Sequence, residues 1–407
     1  MKKGFLEEDH ASLNTLEIQK ENERREVMKK QSLVILVAAM AIFGWALIAA
    51  AAEPIKIGAP LPLSGPVAFA GLPCKNSMEM VAENVNKEGG INGRAIEVIY
   101  IDTEANPDVA IRGVKRLIRK DKVNAIVGPL ASWCAMPSIP IIEKNKVPTI
   151  IIAASSKIVE PVKKWVFKIP ASDTIVVART LAHMKSNGIQ RIASISSQDD
   201  YGDGGHRSLV AKAPNYGIDI VFDERFAGDE TDLTPLIGKI KKTDAQATVS
   251  WSSKRTPSIV AINYRQLGLE MPLYLGHAAL GPAFLETAGE SAEGVLVASM
   301  KYAGAEQLAD SDPQKKVALD YRDAYRKRFG EETNQFAGGA FDGINILVAA
   351  LRKAGTDKYK LRDAIEQTRG FVGTQGIFTY SPDDHGGMTI ESMVMYTVVG
   401  GAWKIVE

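Results

Sequence analysis

From Glu53 to its C-terminus the chain alternates short apolar runs with longer stretches of helical spacing. "IKIGAPLPL" reads as a strand that stops at Ser64-Gly65-Pro66, and residues 72–88 place Met78, Val81, Ala82 and Val85 on one helical face. "GGINGR" is a turn whose glycines suit positive φ. The strand "AIEVIYID", a helix at 107–120, the strand "VNAIVGP", a helix at 132–145 and the strand "PTIIIAAS" follow. Strands that are apolar on both faces and separated by helices belong to parallel sheets covered on both sides.

The alternation then repeats. "RIASISS", "IDIVFDERF", "ATVSWSS", "PLYLG" and "GVLVAS" read as strands, with helices near 173–187, 203–213, 232–242, 256–267 and 282–288. Three more helices follow, near 312–329, 336–354 and 360–367. A closing pair, "ESMVMYTVV" and "AWKIVE", is joined by Gly400-Gly401 as a hairpin. The fold class is α/β, with two doubly wound parallel-sheet lobes. The expected crossings lie near 170–174, 298–302 and 374–380, so lobe one is 53–171 with 301–375 and lobe two is 172–300 with 376–407. Three strands linking two lobes make a hinge that closes around a ligand.

The segment before Glu53 is of a different kind. Residues 33–52 carry no charge, and Met28-Lys29-Lys30 precedes them directly. A positive start, an apolar run and an Ala-rich end form a secretory signal over 28–52, cleaved near Ala52. Translation then starts at Met28, and residues 1–27 are an extension. The alternative is a retained inner-membrane anchor through 33–52, since twenty apolar residues are long enough to span a bilayer. No cysteine ends the run, so a lipid-anchor site is missing. The expected location is the periplasm. There an oxidising environment permits a bridge between Cys74 and Cys134, with two free thiols as the alternative.

The 407 residues carry a net charge of +1, which steers the protein toward neither nucleic acid nor anionic lipid. No zinc-type cysteine spacing or HExxH occurs, so no metal is expected. A catalytic constellation is missing too: there is no G-x-S-x-G elbow, and the five histidines are scattered, His10 within the leader. The expectation is a protein that is not an enzyme and needs no cofactor.

Open α/β sheets bind ligands at the carboxyl ends of their strands. That rule selects 64–71, 132–134, 153–156 and 198–205. If a helix begins at Ser132, its hydroxyl is an N-cap; the same helix start also favours an anion. Ser155 on the next strand end would face the same space. Hydroxyls and N–H groups with no nearby lysine suit a carboxylate better than a phosphate, which normally adds Gly-Lys-Ser/Thr. "DDYGDGGHRS" departs from a dinucleotide loop because Arg207 stands at the third glycine position, and the plainer reading projects Tyr201 into the cleft. Trp133 and Trp251 at strand ends suit either ligand stacking or core packing.

Together "IKIGAPLPLSGPVAFAG", "VNKEGGINGRAIEVIYID", "AIVGPLASWCAMPSIPI", "DDYGDGG" and "AGESAEGV" resemble the leucine/isoleucine/valine-binding family of periplasmic receptors, from about residue 54 onward. The resemblance implies the type I periplasmic-binding fold, two lobes in a Venus-flytrap arrangement, and a monomer that delivers a small solute to an inner-membrane ABC permease. It implies that Ser132 binds a ligand carboxylate, that Ala153 offers backbone groups and Ser155 meets the ligand's polar end. Tyr201 would close over the ligand, and Phe341 would lie near the cleft.

Three positions depart from the family pattern. Ala70, with Phe69 beside it, stands where an aromatic is common; Ser253 aligns with a tyrosine; and His277 aligns with the acidic residue that pairs a ligand ammonium. The implied ligand is a branched-chain or other apolar amino acid. The alternatives are an aromatic or aliphatic carboxylic acid without an amine, walled by Trp133, Phe69 and Tyr201, or a ligand-sensing module held at the membrane. Asp199 and Asp200 are the candidates to replace the missing carboxylate.

Overall fold

The computed structural model describes residues 21, 24–26, 28–31 and 53–406. Most of the expected signal segment, 32–52, and His10 lie outside the described residues, and the described residues before 32 are helical. Among the described residues no helix is long and apolar enough to cross a membrane.

The first lobe is built on a parallel sheet ordered β2-β1-β3-β4-β5: β1 Ile55–Leu61, β2 Ile96–Asp102, β3 Ala125–Leu130, β4 Thr149–Ile152 and β5 Val166–Lys168. β1 pairs with β2 from Ile55 opposite Ile96 to Leu61 opposite Asp102. β3 and β4 are buried at every residue, as sheets covered on both faces require. Helices α1 (Ala68–Lys87), α2 (Pro107–Arg119) and α3 (Ser132–Asn145) follow β1, β2 and β3. α2 starts where Asn106 accepts from the Asp108 and Val109 N–H groups, with Pro107 in the first turn. Sequence patterning missed β5, as it missed the two-residue strands of a later hairpin over 371–378.

The second sheet runs β14-β13-β10-β9-β8-β6-β7. Its parallel strands are β6 Arg191–Ser197, β7 Asp219–Phe226, β8 Ala247–Trp251, β9 Leu273–Leu275 and β10 Leu296–Met300. The hairpin β13 Met393–Val399 and β14 Ala402–Val406 joins β10 antiparallel. β7 alternates exposed and half-buried residues because it is an edge strand. Helices α4 (Asp173–Ser186), α5 (Asp200–Lys212), α6 (Thr234–Ile240), α7 (Thr256–Gln266) and α8 (Pro282–Ala288) cover this sheet. After β10 the chain forms α9 (Pro313–Phe329), α10 (Gln335–Ala354) and α11 (Lys358–Glu366), then a small β11–β12 hairpin over 371–378.

α10 packs along α1 and reaches the first sheet. Its Gly339 and Gly343 let the helix backbone approach Ile152, Ile169 and Val127. The order of each sheet reverses beside its first strand: β1 lies between β2 and β3, and β6 between β7 and β8. A crevice opens at such a switch point, and both carboxyl-end crevices supply residues to one cavity.

Cys74 and Cys134 are free, buried thiols, so of the two readings left open by the sequence the unbridged one stands. Cys74 neighbours the phenols of Tyr321 and Tyr325, whereas Cys134 neighbours Lys254. Burial raises both thiols, Cys134 to about 12, so neither is a thiolate at neutral pH.

Candidate ligand-binding cleft

A cavity of about 790 Å³, measured to its open mouth, lies between the strand ends. One wall comes from the loop after β3 (Leu130, Ala131, Ser132, Trp133) and the end of β4 (Ile152, Ala153, Ala154). Val67, Phe69 and Ala70 at the start of α1 extend it, as do Gln335, Phe336 and Gly339 of α10. The other wall is Tyr201, Ser253, Lys254, His277, Ala278 and Met300. Pro170 and Gln375, from two of the segments between the lobes, close the floor.

The β3–α3 loop makes the first wall. Ala131, not Ser132, is the residue before the helix, and it holds φ +82°, ψ 133°. Such a backbone costs a non-glycine residue about 1–3 kcal/mol. It brings Ser132 into the first turn of α3, so the expected N-cap role falls away. The Ser132 hydroxyl instead accepts from the Ser155 N–H at 3.2 Å, which ties the ends of β3 and β4 together. The N–H groups of the first turn have no intrahelical acceptor and carry the positive end of the helix dipole. Trp133 is fixed by its indole N–H, which donates to the Ala105 carbonyl at 2.9 Å.

The second wall is built on α5. Asp199 caps this helix by accepting from the Tyr201 and Gly202 N–H groups at 3.0 and 2.8 Å. The Gly-rich run after Tyr201 is therefore the first turns of a helix, and its glycines have a packing reason. A Cβ on Gly205 would sit 2.2 Å from the Trp251 ring, and one on Gly204 would sit 2.2 Å from Asp173 Oδ2. The buried Tyr201 hydroxyl accepts from the Ala278 N–H at 3.1 Å and lies 3.4 Å from His277 Nδ1. One proton lies between the two groups, and the tautomer of His277 decides which of them donates it. Burial holds His277 down to about 3, with the Lys168 ammonium acting in the same sense, so the ring is neutral at physiological pH.

Gln335 joins the two walls: its amide donates to the His277 and Leu280 carbonyls at 3.1 and 2.9 Å. Behind them Lys168 donates to the Ala154 carbonyl at 3.2 Å and also to that of Pro170. Burial lowers Lys168 and raises Asp173, each partly offset by the other's charge. Neither Asp173 oxygen closes a hydrogen bond, although the Ser156 N–H and Trp251 indole face it.

Of the residues singled out from sequence, Phe69, Ser132, Trp133, Ala153, Tyr201, Ser253 and His277 meet on this cavity. Ser155 lies behind the wall: it is fully buried, and its hydroxyl lacks a partner beside Gly204. Phe341 faces away from the cleft, stacking on Tyr321 with centroids 4.4 Å apart in a tyrosine cluster. The cleft aromatic of α10 is Phe336, five residues earlier, which meets Phe69 edge-on at 6.1 Å. Sequence reasoning also missed Lys254, Gln335 and Gln375. Lys254 was discoverable, because it follows the β8 end by three residues; the glutamines carry no such signal. Among the described residues no cluster of side chains could hold a metal ion.

Residues 54–402 match the family model described as "Periplasmic binding protein". A leucine-, isoleucine-, valine-, threonine- and alanine-binding protein from Pseudomonas aeruginosa is 28% identical over 347 residues, 83% of this chain and 89% of that relative. A solved extracellular ligand-binding receptor from Rhodopseudomonas palustris is 28% identical with a TM-score of 0.80, covering 88% of this chain and 100% of the receptor. A branched-chain amino acid transporter substrate binding protein from Streptococcus pneumoniae, solved with isoleucine, has a TM-score of 0.76 at 24% identity, over 87% and 99% of the two chains. This last likeness is one of fold.

Proposed function

The chain belongs to the periplasmic binding protein family, and from that premise we propose that it is the solute receptor of an ABC importer. Its solute is small, carries a carboxylate and has an apolar body, of the kind represented by the branched-chain amino acids that its relatives' names carry. The protein grips this solute as a monomer, without turnover, and hands it to an inner-membrane permease. Export by residues 28–52 and release into the periplasm complete the reading.

One observation carries it: a largely apolar cavity gathers the start of α3 from one lobe and Tyr201 with His277 from the other. The carboxylate docks on the first-turn N–H groups and the Ser132 hydroxyl. The apolar body lies against Phe69, Trp133 and Phe336. The lobes flex about three segments, near 170–174, 298–302 and 374–380, between lobe one (53–171 with 301–375) and lobe two (172–300 with 376–407). Isothermal titration of the purified protein with L-leucine, L-isoleucine and L-valine, with analysis of the recovered solute, tests the reading. Saturable one-to-one binding of unaltered solute is expected. A chemically changed solute, or no binding by any acid-bearing apolar compound, refutes it.

A further inference from the structure

The cleft is electrically lopsided in a way that bears on its solute. Among the described residues lining it there is no Asp or Glu, and Lys254 is the single charged side chain. The nearby carboxylates are committed elsewhere or walled off. Asp199 caps α5. Asp342 accepts from the Thr374 and Gln375 N–H groups at 2.8 Å each. Asp200 is half-buried beside Lys157 and outside the lining. Asp173 is fully buried beyond Tyr201 and Trp251, and is no part of the cavity surface.

The second wall offers no anion where a cationic group needs one. Its polar side chains are the Tyr201 and Ser253 hydroxyls, the neutral His277 ring and the Lys254 ammonium. Lys254, exposed at the rim with φ +60°, places its Nζ 4.8 Å from the centre of the Trp133 ring. This contact spans the cleft from lobe two to lobe one. The Ser253 hydroxyl beside it has no partner. A solute that is wholly anionic matches this wall. A zwitterion must instead bury an ammonium with no carboxylate opposite it, which is strongly unfavourable.

We propose that this cleft also takes amine-free monocarboxylates, the branched or aryl-substituted alkanoic acids, and binds them more tightly than the α-amino acids of the same shape. This rests on the receptor reading above and assigns Lys254 and His277 as its specificity residues. Lys254 supplies the long-range attraction for the anion, and His277 is a neutral ring on the cavity wall that gives an amine no counter-charge.

Matched pairs separate the ideas: 4-methylpentanoate against L-leucine, and 3-phenylpropanoate against L-phenylalanine, titrated into the full chain at neutral pH and two salt concentrations. The amine-free member of at least one pair is expected to bind at least tenfold more tightly. Lys254→Gln should weaken that acid about threefold or more and flatten its salt dependence, and His277→Glu should swing the ratio toward the amino acid. Equal or tighter binding of the amino acid in both pairs overturns the inference and leaves the receptor reading standing. Failure of all four compounds overturns both. Asp173→Asn guards against a hidden partner: if it weakens L-leucine selectively and leaves 4-methylpentanoate unchanged, Asp173 serves the amine and the proposal is wrong.

Discussion

The two walls of the cleft solve the same problem in opposite ways. In the first, small residues and backbone do the presenting, and its serine is already satisfied through the Ser155 N–H. The second gathers large side chains, and beneath it the hydroxyls of Ser196, Ser250, Ser252 and Ser253 and the Trp251 indole lack partners. Each buried polar group left unpaired costs about 1–3 kcal/mol. Behind the first wall the Ser155 hydroxyl is likewise unpaired, but the second wall holds the larger share of unused hydrogen-bonding capacity. On the proposed reading, the acid group docks on the first wall and the second discriminates among solutes.

The contrast is broken most forcefully through the helix glycines. Gly205→Ala would drive a methyl into the Trp251 ring, whereas Gly339→Ala on α10 meets Ile152 at an ordinary 3.4 Å. Overpacking of the first kind costs about 3 kcal/mol. A large drop in melting temperature is expected for Gly205→Ala and little change for Gly339→Ala; comparable drops would mean that the walls are equally yielding.

A second test titrates the discriminating wall. His277 sits at about 3 when folded, against 6.5 for an ordinary histidine. Between those values the unfolded chain binds a proton that the folded chain refuses, so this residue's contribution to stability is lost as pH falls below 6.5. Asp342, raised to about 7 by burial, works in the opposite sense over its own range, from 3.8 to 7. Comparison with a variant isolates the histidine. Relative to the parent, His277→Gln should gain ~2 kcal/mol at pH 5 over its value at pH 8, at 1.36 kcal/mol per pKa unit. Denaturant melts at the two pH values measure this, and parallel profiles would show that His277 takes up its proton alike in the folded and unfolded chain.

The smallest effects compare the serines. Ser132→Ala removes a hydroxyl and strands the Ser155 N–H, so it should lower both stability and affinity by about 1 kcal/mol. Ser253→Ala removes a hydroxyl that has no partner, so stability should hold or rise slightly while affinity alone falls. Loss of stability in both variants would erase the distinction between the walls.

Legibility from sequence followed the same divide. The first four strands of lobe one and the helix at 132–145 were readable because long apolar runs and Gly/Pro punctuation sit on one stretch of chain. So was the dock, since strand ends are local features. The second wall was half legible. Tyr201 and His277 could be placed, but nothing local shows that the tyrosine hydroxyl meets the ring of a histidine 76 residues away. Phe341 and Phe336 illustrate the limit: both are aromatics on one helix, and only the packing of Tyr321 from α9 decides which one turns to the cleft. The N-cap reading of Ser132 failed for a similar reason, because the chain turns one residue earlier, at Ala131, in a conformation no propensity favours.

The bare backbone of α5 constrains how such a receptor can change its diet over evolutionary time. With the Gly204–Gly205 stretch pressed against a carboxylate and an indole, that helix can neither retreat nor acquire bulk without disturbing the lobe beneath it. Diversification is channelled to the rim, where Ser253, Lys254 and His277 can be exchanged one at a time, so new diets should arise from single substitutions there while the frame stays fixed.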